Sequence, residues 1–100
     1  MTNHPSKELR LRSKSEMAKD IAEIISCLHH GHRSAVDLLI EDLKTRALFF
    51  DENIQQDVLV FIEQVMFQET YDPWHKVTAE VQKAADKLLE DLGFKRPTLN

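Results

Sequence analysis

The side chains best suited to chemistry gather at Cys27, His29, His30 and His32, a C-x-H-H-x-H run whose thiol and imidazole groups are donors that zinc and copper favour. Cys27 and His30 stand three residues apart and can share one helical face, whereas His29 is turned from His30 by about 100° on the same turn. A closed site would need a further ligand from Glu69, Asp72 or His75. No metal and no cofactor are therefore assigned. Histidines suit the last turn of a helix, and a lone thiol in an apolar stretch packs as a small hydrophobe. Because imidazole titrates near pH 6.5, the same cluster is a pH-sensitive contact surface in a second reading.

Tyr71, Asp72, Trp74 and His75 form the other concentrated group. Tryptophan and tyrosine combine a large contact area with a polar tip, which is why they dominate interface hot spots. Trp74 either plugs the end of the core or forms a partner site with the histidines. No serine sits in a G-x-S-x-G turn, and the chain's two glycines form no phosphate-cradling loop. An enzyme is not expected.

The net charge of −4 conceals a division along the chain. Residues 1–14 carry Lys7, Arg10, Arg12 and Lys14 against Glu8, and the last six add Lys95 and Arg96. Between them, residues 15–94 hold 16 acidic and 7 basic side chains. The expected organisation is a basic flexible arm or weak helical extension over 1–14, a helical body over 15–94 and a basic tail over 95–100. Carboxylates on the body read as a solvated surface.

What must position these groups is a set of helices, since three prolines and two glycines are too few for a sandwich or barrel. Met17, Ile21, Ile24, Ile25 and Leu28 follow the three-and-four spacing of one helical stripe, with Ser13 or Ser15 as cap and Gly31 as stop. Ser34 and Asp37 resemble a capping box ahead of Val36, Leu39, Ile40, Leu43, Ala47 and Phe50. Asp42 and Arg46 stand four apart as a supportive pair. Asn53 and Gln56 offer a reciprocal cap for a third helix carrying Ile54, Val58, Phe61, Ile62 and Val65. Its flanks add Leu59, Val60, Met66 and Phe67, an arc wide enough to expose a face to another chain. A continuous helix over 34–69 is the alternative, since neither glycine nor proline enforces a break near Asp51. Asp72-Pro73 predicts the start of a fourth helix, lined by Trp74, Val77, Val81, Ala84, Ala85, Leu88 and Leu92 and stopped by Gly93.

Short connections predict an all-α, antiparallel up-down-up-down four-helix bundle. The turn at Gly31 and the turn at Asp72 then share one tip. No apolar stretch approaches the roughly 20 residues of a membrane span, one cysteine forms no internal disulfide, and no secretion signal opens the chain. A cytoplasmic location is expected.

The leading reading is an acidic interaction protein, a regulator, adaptor or inhibitor of a basic partner. Asp37, Glu41, Glu52, Gln56 and Glu63 form its steering face, with His29, His30, His32, Tyr71, Asp72, Trp74 and His75 as a second contact surface. In length, acidity and helical content the chain resembles bacterial toxin-immunity proteins, and that resemblance implies capture of a cationic protein. The alternatives are a nucleic-acid-associated factor using Lys7, Arg10, Arg12 and Lys14, and a metal- or pH-responsive bundle. A homodimer burying Leu59, Met66 or Phe67 is a further expectation.

Overall fold

Four runs of spaced apolar residues become four helices in the computed structural model, which describes residues 7–74 and 76–94, with side chains from Arg12 onward. They are α1 (Lys7–His30), α2 (Arg33–Ala47), α3 (Glu52–Tyr71) and α4 (Ala79–Asp91), with no strand among the described residues. α1 packs on α2 and α3 on α4 extensively, while α2 meets α3 over a smaller area. The architecture is therefore two packed helix pairs, α1 with α2 and α3 with α4, joined through α2 and α3.

One apolar core joins all four elements. Met17, Ile21 and Ile24 of α1, Val36 and Leu43 of α2, Phe61 and Val65 of α3, and Val81, Ala85 and Leu88 of α4 are fully buried. The stripes expected from spacing supply almost all of it, with Ile25, Leu28 and Leu39 packed half-buried at its margin. Burying an aliphatic or aromatic side chain of this kind is worth about 1.5–3 kcal/mol, so these positions dominate the fold.

The helix boundaries differ from expectation, each for a local reason. α1 starts at Lys7 rather than Ser15, so Lys7, Arg10, Arg12 and Lys14 lie in its first turns. Ser13, expected as a cap, is buried inside this helix. α2 starts at Arg33 after His32, which makes no side-chain cap, so the Ser34–Asp37 capping box does not form. Asp51, not Asn53, caps α3: its Oδ1 accepts from the Ile54 N–H at 3.2 Å. α2 and α3 remain separate because Leu48, Phe49 and Phe50 bond back to Thr45, Arg46 and Ala47, three residues earlier, tightening the last turn until Asp51 starts a new one.

The largest change is at α4. Tyr71 is the last residue of α3 and Asp72 its C-cap, so Pro73 follows a helix end instead of opening one. Proline serves both positions, because it cannot continue a helix and loses nothing at the start of one. Thr78 is the true cap, its hydroxyl accepting from the Val81 N–H at 3.2 Å. Gln68, buried on α3, holds the connection: its amide donates to the Lys76 carbonyl at 3.3 Å and accepts from the Thr78 N–H at 2.9 Å. Both glycines end helices in the left-handed region, Gly31 at φ +74° and Gly93 at φ +96°. In each case the next residue donates back across the turn, His32 to the Cys27 carbonyl and Phe94 to the Leu89 carbonyl, both at 2.9 Å.

Candidate functional site

At one tip, the end of α1 and the end of α3 come together. A small cavity is lined by Cys27, Gly31 and Arg33 on one side and Gln68, Glu69 and Pro73 on the other. His29, His30 and His32 are exposed and do not line it. The His30 ring bonds through Nδ1 to the Ser26 carbonyl at 2.8 Å and stacks on His32 with centroids 6.1 Å apart. Thus His30 is turned back along its own helix. No group of three or more His, Cys, Asp or Glu side chains among the described residues converges to hold a metal.

Trp74 is 93% exposed and does not plug the core. Having been read as part of the fourth helix's buried stripe, it lies instead in the α3–α4 connection, where no helical register turns it inward. Tyr71 is exposed, with its ring 4.7 Å from that of Phe67 on the same helix, and Asp72 is half-buried. His75 lies outside the described residues, as do the segments 1–6 and 95–100.

The acidic set falls on the α2–α3 side. Asp37, Glu41, Glu52 and Glu63 are all exposed. Glu41 pairs with Lys44 at 3.4 Å. Between the two helices runs a groove with two basins that share Glu41 and Lys44. One basin is lined by Ala47, Leu48, Val58 and Leu59, and the other by Ile62, Met66, Asp37 and Glu69. Burial pushes the Glu69 carboxyl above its ordinary range, and the negative charge of Asp37 adds to this against the opposing pull of Arg33.

Two further carboxyls were not singled out by sequence reasoning, and they correct the view that the helical acids are all solvated. Asp20 and Asp57 are buried, and each keeps one oxygen, Oδ2, without a hydrogen-bond partner. Burial, and then a proton shared with Asp42 on α2, pushes Asp20 up to about 7. Asp42 is held low, chiefly by that shared proton and next by Arg46, whose Nε donates to it at 2.8 Å. The α3–α4 pair repeats the arrangement. Burial and the neighbouring Asp91 on α4 push Asp57 up to about 6, while Asp91 is held low by Asp57 and by Lys87 at 2.9 Å. Lys87 also reaches Asp57 at 3.7 Å. A signal was present in the sequence: Asp20 lies three residues after Met17 and four before Ile24, and Asp57 lies three after Ile54 and four before Phe61. Both therefore occupy apolar-stripe positions.

Fold and surface together define an all-α four-helix fold with a partly apolar groove and two buried aspartates, each beside a more exposed one. Comparisons with protein-family models, characterised proteins and solved structures return no match. No helix among the described residues is long and apolar enough to cross a membrane.

Proposed function

We propose that this chain is a small acidic interaction protein that regulates, adapts or inhibits a basic macromolecular partner, in the manner of an immunity protein or antitoxin. The observation carrying this reading is the groove lined by Asp37 and Glu41 that leaves Leu48, Leu59 and Met66 in water, with Glu52 and Glu63 exposed elsewhere on α3. Carboxylates at a rim steer a cationic protein, and apolar side chains beside them supply the contact that holds it. The reading takes the helices as an antiparallel up-down-up-down bundle. Support comes from the cavity joining the Gly31 turn to Pro73, and from Lys14 lying beside Gly93 near the start of α1 and the end of α4. A cytoplasmic location is part of the proposal, resting on the lone thiol Cys27.

Partner capture from the native host tests it. The expected result is a protein of high isoelectric point whose retention weakens as salt rises, and which is lost from a variant carrying Asp37→Asn, Glu41→Gln, Glu52→Gln and Glu63→Gln. A partner retained equally by that variant refutes the reading.

A second reading, a pH-responsive bundle, is favoured by the buried Asp20 and Asp57. Its sensor is the pair of buried aspartates rather than the exposed histidines. Its test is the pH dependence of stability described for those residues below.

A further inference from the structure

The groove between α2 and α3 has a polarity along its length. At one end Leu48 and Leu59, 73% and 50% exposed, stand over Ala47 and Val58. At the other, Asp37 on α2 and Glu69 on α3 bring two negative charges to the same basin, close enough for Asp37 to disfavour ionisation of Glu69. Ten residues of α3 separate Leu59 from Glu69, about 15 Å at 1.5 Å per residue. The two basins, about 340 and 360 Å³, each fall in the size range of ligand sites, about 300–1,000 Å³. The depression on the other side of α3 is also rich in acids, Glu80, Asp86, Glu90 and Asp91, but Lys83 and Lys87 already stand among them and Lys87 pairs with Asp91 at 2.9 Å.

We propose that the α2–α3 groove docks an amphipathic helical segment of a partner protein, with apolar anchors seated between Leu48 and Leu59 and lysine or arginine side chains lying over Asp37 and Glu69. The inference rests on the proposed acidic interaction role and specifies the part of the partner that is recognised. Charge complementarity selects this occupant. A cation at the far end relieves the repulsion between Asp37 and Glu69, while an apolar side chain at the near end removes the two leucines from water. A second copy of the chain fits less well, because a two-fold contact through this groove sets its carboxylates against either their own counterparts or the other copy's leucines.

The probe is a fluorescently labelled helical peptide with leucines on one face of its first two turns and lysines on the same face of its last two. Control peptides replace the lysines by glutamate or the leucines by alanine. Binding followed by anisotropy is expected to be weakened about tenfold or more by either control peptide, by Leu59→Lys and by the double change Asp37→Asn with Glu69→Gln. Leu48→Lys serves as an independent variant at a more exposed site, and circular dichroism verifies that each variant keeps its helices. Binding indifferent to both leucine variants overturns the groove while leaving the acidic-face reading standing. Absence of binding to the full chain also overturns the groove, and partner capture with the carboxylate variant then decides the broader reading separately. Sedimentation showing a dimer that Leu59→Lys dissolves overturns the proposal in favour of a second copy.

Discussion

Asp20 ties stability to acidity in the direction opposite to most carboxylates. Its folded value of about 7 exceeds the usual 3.8, so the native state binds more protons than the unfolded chain between those limits. Its contribution to stability is therefore fully present below about pH 4 and is lost as pH rises through 7. The depressed partner Asp42 acts below 3.8 and leaves this window untouched. Asp20→Asn replaces the shared proton by an amide that still donates to Asp42. Thermal unfolding followed by circular dichroism is expected to show the variant more stable at about pH 8, by roughly 1–3 kcal/mol, with the slope between pH 5 and 8 reduced. An unchanged slope would remove Asp20 as its source. Trp74 offers a contrast at the same scale. Exposed as it is, Trp74→Ala is expected to change stability by less than about 0.5 kcal/mol, whereas Phe61→Ala, fully buried, costs about 3–5 kcal/mol by chemical denaturation.

Individual elements show how far local sequence carries. The stripes of α1, α2 and α3 were legible because burial follows the 3.6-residue period, and Asp42–Arg46 formed the pair its spacing allows, at 2.8 Å. Caps were not, because Ser34, Asp51, Asn53 and Asp72 are all good cap residues and tertiary packing chooses among them. α4 is the clearest instance. Its start depends on Gln68, ten residues away on another helix, which binds the Thr78 N–H. The acidic positions Asp37, Glu41, Glu52 and Glu63 were readable as exposed, whereas the groove beside them depends on the spacing of two helices and has no local signature. Thr78→Ala is expected to cost about 1 kcal/mol, and Asp51→Ala about the same, while Asn53→Ala leaves the melting temperature within error. Equal losses at Asn53 and Asp51 would show that the third helix is capped as the sequence first suggested.

Across the whole molecule, the two helix pairs share a construction: a buried aspartate on the first helix, an aspartate on the second, and a base four residues from the latter. Asp20 and Asp57 answer to different partners, so their substitutions are independent. The double variant Asp20→Asn with Asp57→Asn is expected to gain the sum of the single gains at about pH 8, within about 0.5 kcal/mol. A clear shortfall in denaturation measurements would mean that the two helix pairs communicate through the α2–α3 contact.

The bare indole in the α3–α4 connection also has a spectroscopic use. As the chain's one tryptophan, almost wholly in water, it should emit close to the wavelength of free indole and shift little when the helices melt. Intrinsic fluorescence is thus a poor thermometer for this molecule, yet a sensitive doorbell: a blue shift at constant helicity signals that something has covered the tip.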